Sequence, residues 1–440
     1  MRAGGLLVAI LLVLVAAGCT RQPAGRRAAT RAGAGSSPSP SAQQPARRIQ
    51  ITLFTWVPPR EYALNQELVA RFEKLNRDIK VRYINEPGGR AMDKLQAMIG
   101  ARKPPDVMSI HGAYFVPLAA QGALLDLDPL IKQHADFDLG DFLPPLVRMC
   151  RWKGRLYSLP RYTSVYVMFY NKDLFDAAGA AYPSENWTWA DYLAKAKKLT
   201  KRGADPADDQ WGCVVDIWSA RSFPWIWQNG GDILDRKTMR CVVDSPSAAE
   251  AVQFLMDLRR RWKVCPPIGQ EDYRETKERF KGGRVAMFMS GAWDIQVLRD
   301  AKNLRWDVAP LPKGKQRATL LGMENYAIAA NTEHPDEAFR LFSFLLSPGA
   351  QQFMADKMDK QPSRRSVMEG PYLKARAPYN RRVMVDAVSY GREAPNVPGW
   401  TRVEHYLNEQ MDLMWQGEVP VREGLKLAAE RITKGLRGGA

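Results

Sequence analysis

Between Ile49 and His111 the chain alternates between period-two and helical spacing of its apolar residues, and no other feature narrows its possible folds as much. "RIQITLFTW" puts Ile49, Ile51 and Leu53 at every second position and reads as a strand ending at Trp56. Leu64, Leu68, Phe72 and Leu75 then recur at spacings of four, four and three, which is one face of a helix lying on a sheet. "IKVRYIN" alternates again, a second helix follows around Met92 to Ile99, and "PPDVMSI" supplies a strand ending beside His111. Strands joined through helices return to the same end of the sheet, so this order predicts parallel strands covered by helices on both faces, an α/β fold.

The later chain repeats the pattern: strand "TSVYVMFYN", helix "WADYLAKAKKL", strand "WGCVVDI", and a helix opened by Ser245-Pro246. Thr188 with Asp191 resembles a capping box, and Pro246 suits a first helical position. "MENYAIAAN" and "HPDEAFRLFSFLL" add a strand and a helix near the end. In "GGRVAMFMSGAWDI" the run Val285 to Met289 is short and continuously apolar, as in a buried strand, with Ser290-Gly291 turning at its carboxyl end. Open α/β sheets bind ligands beyond the carboxyl ends of their strands, so Trp293 falls near a possible site. The alternative for Trp293 is packing under the next helix, since most tryptophans are largely buried.

The N-terminus bears on the compartment. Arg2 precedes an apolar run from Leu6 to Ala17 and then Gly18-Cys19, too short to span a bilayer but suited to an export signal over residues 1–18. Ala16, Ala17 and Gly18 before Cys19 resemble a bacterial lipoprotein cleavage box. Cys19 would then carry the lipid, and the exported protein would be anchored to the membrane on its periplasmic or extracellular face; a plain secretory signal is the alternative. Residues 19–48, rich in Arg, Ala, Gly, Ser and Pro, cannot offset their own ordering entropy and read as a disordered tether.

The formal charge of +17 is inflated by this segment. Without the seven arginines of residues 1–48, 57 basic residues face 47 acidic ones, a net +10. No clustered basic tract follows, which argues against nucleic acid as a partner. No later apolar run reaches membrane-spanning length. The remaining 390 or so residues exceed what one core usually organises, so two lobes are expected. Beyond Cys19 there are Cys150, Cys213, Cys241 and Cys265, an even number for a disulfide-permissive compartment, with three complete pairings open. The absence of C-x-x-C and of a nearby histidine pair argues against zinc, and no metal or cofactor is expected.

Several segments together resemble the large sugar-binding, maltose-binding-protein-like family of extracellular solute-binding proteins that serve bacterial ABC importers. "GRLYSLPRYTSVYVMFYNKDLF" looks like that family's segment crossing between lobes, and "WTWADYLAKAKKLT" is similar to the helix after it. "WQNGGDIL", "GRVAMFMSGAWDI", "WDVAPLP", "LGMENYAIAANTEHPDEAFRLFSFLLS" and "NVPGWTRVEHYLNEQ" follow in family order, so the resemblance runs from about Ile49 to the C-terminus. It implies a two-lobed periplasmic-binding-protein fold, each lobe a mainly parallel sheet flanked by helices. The lobes would be 49–163 plus 325–373 and 164–324 plus 374–440, closing by hinge bending on a ligand between them. It also implies a monomer that captures a mono- or oligosaccharide and delivers it to the permease's transmembrane subunits.

Sugar recognition needs flat apolar platforms and well-placed polar groups, and the chain holds thirteen tryptophans. By position, the resemblance makes Trp56, Arg60, Glu61, His111, Tyr114, Trp218, Arg221, Trp293, Glu324, Asn325, Trp400 and Glu404 the candidate ligand contacts. Each has a plainer alternative: core closure for Trp56, helix-start charges for Arg60 and Glu61. In "WSARSFPWIWQNGG", Trp218 and Arg221 are assigned to the ligand and Trp227 to packing, because about every second residue of such a helix faces the core. Glu324 and Asn325 stand in "GMEN", where the family usually has a glycine-rich run. The sequence has no Gly-x-Ser-x-Gly, no H-E-x-x-H and no phosphate loop, so catalysis is not expected. Glycerol phosphate esters or polyols are the alternative ligands; a glycan-active enzyme, or a sensor or adhesin on the same fold, is the alternative of another class.

Overall fold

The computed structural model describes residues 48–216, 218–267, 273–375 and 377–437. The segments expected to form the export signal, the Cys19 lipidation site and the tether, up to Arg47, lie outside the described residues. The alternation that opens the chain is realised as β1 (Ile49–Thr55), α1 (Pro59–Leu75), β2 (Ile79–Asn85), α2 (Ala91–Gly100), β3 (Val107–His111) and α3 (Gly112–Ala120). Strands β1 and β2 are parallel with Ile49 opposite Ile79, and β1 and β3 are parallel with Leu53 opposite Val107. Because successive side chains of a strand face opposite ways, each strand feeds two cores. Ile51, Leu53 and Val107 pack with Leu68 and Phe72 of α1, while Phe54, Met108 and Ile110 pack with Leu95 of α2 and Phe115 of α3. Each such side chain contributes about 1.5–3 kcal/mol when fully buried. One expectation fails here: Leu75 is 73% exposed, because α1 ends at that residue, and Asn65 and Val69 complete the buried stripe instead.

Two further strands, β4 (Ser158–Val165) and β5 (Val167–Asn171), form one stretch broken only at Tyr166. The chain continues through α4 (Trp189–Leu199), α5 (Ser219–Gln228), α6 (Pro246–Arg260), α7 (Tyr273–Lys281), β6 (Met287–Ser290), β7 (Trp306–Ala309), β8 (Thr319–Ile328), α8 (Pro335–Leu345), α9 (Pro348–Met358), α10 (Arg382–Tyr390), β9 (Gly391–Arg392), α11 (Trp400–Gln416) and α12 (Val421–Arg437). The local signals act as their chemistry requires. Thr188 and Asp191 cap α4 reciprocally, and Ser245 caps α6 with Pro246 in its first turn.

The result is a two-lobed α/β fold. In the first sheet the order is β9–β8–β3–β1–β2, and β4 also pairs with β8. Strand β8 runs antiparallel to β3 and β4 and parallel to β9. The second sheet, β6–β5–β7, is antiparallel throughout, with Met287 opposite Tyr170 and Trp306 opposite Asn171. This corrects the expectation of a mainly parallel sheet in the second lobe. The stretch "WGCVVDI" forms only single parallel bridges, Trp211 to Val285 and Val214 to Phe288, rather than a ladder. There Gly212 runs so close to the end of α4 that a Cβ would lie 2.0 Å from the Ala196 carbonyl oxygen.

Buried polar groups tie elements together that are distant in the chain. Arg161 of β4 is 2% exposed; its guanidinium pairs with Glu61 of α1 and lies 4.4 Å and 4.9 Å from the ring centres of Tyr162 and Tyr326. Glu61 is also reached by Lys360 Nζ at 2.8 Å. Separately, Asp359, left-handed at the end of α9, accepts from both Arg299 and Arg381. Removing one partner of a buried ion pair strands the other, so Arg161→Ala should destabilise the protein by about 3–5 kcal/mol. Urea unfolding should show this as a lower midpoint with an unchanged slope; a midpoint within error of the native protein would show that Lys360 alone suffices for Glu61.

Candidate functional site

Tyr166 sits where the chain leaves the first sheet for the second, and beside it a cleft of about 470 Å³ opens. Its walls come from the start of α3 (Tyr114), α5 and the residue before it (Trp218, Arg221, Phe223), Trp293, β8 (Leu320 to Met323) and α11 (Trp400, Glu404). A smaller hollow of about 210 Å³ adjoins it, lined by Trp56, Glu324 and Lys360 among others. His111, Ser164, Trp293, Gly322 and Met323 belong to both, so Trp293 stands at their junction.

The local chemistry around Trp293 explains its position. Strand β6 ends at Ser290, and the indole folds back over Gly291, where a Cβ would lie 2.3 Å from the ring. Any side chain at position 291 would therefore expel the indole. Tyr166 meets the ring edge-on at a centroid distance of 5.6 Å, leaving Trp293 38% exposed in the cleft. Such a supported, half-open aromatic face can stack on an apolar ligand surface.

In the same cleft Trp218 is 40% exposed and its Nε1 donates to Glu404 at 3.0 Å. Arg221 is buried beside these rings, 4.5 Å from the centre of Tyr166 and 5.8 Å from that of Trp293. Its Nε lies 3.4 Å from Asp216, and one Nη donates to the Met289 carbonyl. A guanidinium stacked among aromatic faces is well placed to hold them in a fixed arrangement. Burial raises the Glu404 carboxyl above its ordinary range, with the Trp218 bond acting the other way. Tyr114 is likewise raised, chiefly by burial and then by Glu404.

In the inner hollow Trp56 and His111 meet edge-to-face at 6.2 Å. The His111 ring opens on the cleft, but the protein enclosing its other sides lowers its pKa, with Glu324 opposing; a neutral Nδ1 accepts from the Ala113 amide at 3.2 Å. Burial would raise Glu324, yet the Lys360 and Arg161 cations outweigh it and hold the carboxylate below its usual value.

Of the twelve candidates, nine line one hollow or the other: Trp56, His111, Tyr114, Trp218, Arg221, Trp293, Glu324, Trp400 and Glu404. Trp400 is almost wholly buried and forms wall rather than platform. Three do not line either hollow. Glu61 is buried as the counter-ion of Arg161 and Lys360. Asn325 is fully buried, accepting a weak bond from the Cys150 thiol. Arg60 is exposed, donates to the Lys357 carbonyl, and is met by the Gln296 side-chain oxygen when that amide is turned toward it. Tyr166, Lys360 and Asn396, absent from the candidates, line the walls. None of the three carries a local signal: Tyr166 lies within the apolar run of "TSVYVMFYN", and its place at the strand break appears only in the structure. Among the described residues no group of three or more His, Cys, Asp or Glu side chains could hold a metal ion, and no helix is long and apolar enough to cross a membrane.

Two α/β lobes around an aromatic, polar-edged cleft define a protein built to hold a small molecule. The chain belongs to the bacterial extracellular solute-binding protein family, whose model matches residues 58–352. It is similar to an ABC substrate-binding protein of Listeria monocytogenes solved in complex with cycloalternan, at 27% identity and a TM-score of 0.81 over 89% of this chain and 99% of that one. It is 22% identical to the galactooligosaccharide-binding protein of Bacillus subtilis over 83% of this chain and 85% of the relative. An uncharacterized lipoprotein of Streptomyces antibioticus is 24% identical over 72% of this chain and 70% of its own.

The raised Glu404 carboxyl has a consequence for stability. A carboxyl that holds its proton more tightly when folded costs nothing at acid pH, and its cost grows as pH rises above the ordinary carboxylate value. Glu404→Gln keeps an acceptor for Trp218 and should raise the apo melting temperature by about 1 °C at pH 7.5, the difference closing toward pH 4. Melting curves across that range check this; a constant offset would mean that titration of Glu404 plays no part.

Proposed function

We propose that this protein is the lipid-anchored capture component of an ABC importer, binding a neutral saccharide in the cleft and passing it to the transmembrane subunits of the permease. The carrying observation is Trp293: an indole seated on Gly291, in T-shaped contact with Tyr166 and open to the cleft that Trp218 also lines. Sugar rings present apolar C–H faces that such indoles stack on, while their hydroxyls find His111, Glu324, Asn396 and Glu404 around the rim. The names of the relatives that bind oligosaccharides support the same ligand class. Charge favours a neutral ligand over a phosphate ester. The Arg221 and Lys360 cations already face Asp216 and Glu61, and the carboxylates of Glu324, Glu393 and Glu404 would repel an anion. Anchoring rests on Cys19 after its run of small residues, and intact mass of the native exported protein should show a lipid-modified Cys19 as the first residue; an unmodified N-terminus removes the anchor.

A thermal-shift panel of mono- and oligosaccharides, polyols and glycerol phosphate esters tests the ligand class, and stabilisation by phosphate esters alone would overturn the saccharide reading. With a stabilising sugar in hand, Trp293→Ala should weaken binding by about 1–3 kcal/mol, read by calorimetry, while the apo melting temperature barely moves. Collapse of apo stability with affinity unchanged would make Trp293 a packing residue.

A further inference from the structure

The four cysteines of the folded region are not equivalent. Cys213 and Cys265 are both buried with their sulfurs 3.3 Å apart, and the Cys213 amide donates to the carbonyl of Val264 at 3.2 Å. Backbone pairing beside the sulfurs means that the chain, and not a chance rotamer, brings them together. A disulfide requires a separation of about 2.0 Å, so small side-chain rotations would close the gap. Cys150 instead faces Met323 and Asn325. We infer that Cys213 and Cys265 are joined by a disulfide in the exported protein, and that Cys150 and Cys241 remain thiols.

The bond matters because of what it closes. Residues 211–216 have no continuous strand ladder, only the two single bridges, yet they lead to Asp216, which faces Arg221 and accepts from the Trp218 amide at 2.9 Å. The loop between the two cysteines contains α5 with Trp218 and Arg221, so the bridge fixes the base of one cleft wall. Formation requires an oxidant carrying a disulfide, such as an extracytoplasmic thiol–disulfide oxidase or glutathione disulfide. One cysteine thiolate attacks the oxidant's S–S bond and forms a mixed disulfide; the other displaces the second oxidant thiol. The pair gives up two electrons and two protons, and the oxidant leaves as its reduced thiols. Burial raises the Cys265 thiol far above its ordinary range, so exchange takes place before this region is packed, as the exported chain folds.

The inference rests on export, and the test separates the two. Exported protein is alkylated under denaturing, non-reducing conditions and mapped by mass spectrometry. The expected result is one linked peptide pair holding Cys213 and Cys265, with Cys150 and Cys241 alkylated. Four alkylated thiols in protein whose signal has been removed, or a link between any other pair, overturns the disulfide; protein retaining its signal speaks against export instead. A second arm is independent of export: reduced full-length protein refolded in a glutathione redox buffer should form the same link. It should then melt about 3–5 °C above protein refolded under reductant. Refolding without that link overturns the inference.

Discussion

The pairing of Arg161 with Glu61 holds together the part of the molecule on which the site is built. Bringing a guanidinium out of water costs several kcal/mol unless its charge and its donors are met. Here the carboxylate comes from α1, one hundred residues earlier in the chain, and aromatic rings cover the planar faces. Strand β4 carries the arginine and pairs with β8, which pairs in turn with β3. The ion pair therefore locks a covering helix to the middle of the first sheet. It also draws in Lys360, and with it the segment after α9. Trp56, Glu324 and Lys360 line the inner hollow as a result, although Arg161 and Glu61 themselves stay beneath its surface.

The outer cleft follows a different logic. Its surfaces are aromatic, and its order comes from contacts that each use a single edge or face. Trp293 lies against Gly291 and makes a T-shaped contact with Tyr166; Trp218 is held through its indole nitrogen by Glu404. Arg221 sits among the rings with Asp216 behind it. The cleft thus combines apolar platforms with a rim of carboxylate and amide groups, and its rings are held by contacts within the protein. Side chains fixed in this way have less freedom to lose when they contact a ligand.

How much of this the sequence revealed depends on whether the determining contact is local. The first five elements were legible because their periods repeat within ten or so residues, and the caps of α4 and α6 because capping is settled over three or four positions. The direction of the second sheet was not, since β5, β6 and β7 come from distant stretches and their pairing depends on which neighbours meet. Leu75 misled because periodicity does not say where a helix outruns its sheet. Glu61 read as a helix-start charge near a cleft; its actual partner, Arg161, is invisible to any local pattern. Asn325 sits beside Glu324 on the same strand but faces the opposite way, so a reading that took the two as a pair was bound to misplace one. The division of this helix into a ligand face and a core face was not legible, since Arg221 is buried as Trp227 is and every residue from Ser219 to Gln228 is enclosed, leaving only Trp218, just before the helix, exposed.

The distribution of indole exposure gives the molecule an optical property. Of its thirteen tryptophans only Trp218 and Trp293 are exposed, and both line the cleft, while the remainder are partly or wholly sheltered. Red-shifted, water-relaxed emission should therefore come chiefly from the two side chains that a guest in the cleft would cover. The spectrum of the unlabelled protein carries, in its long-wavelength shoulder, a signal weighted toward occupancy of the cleft.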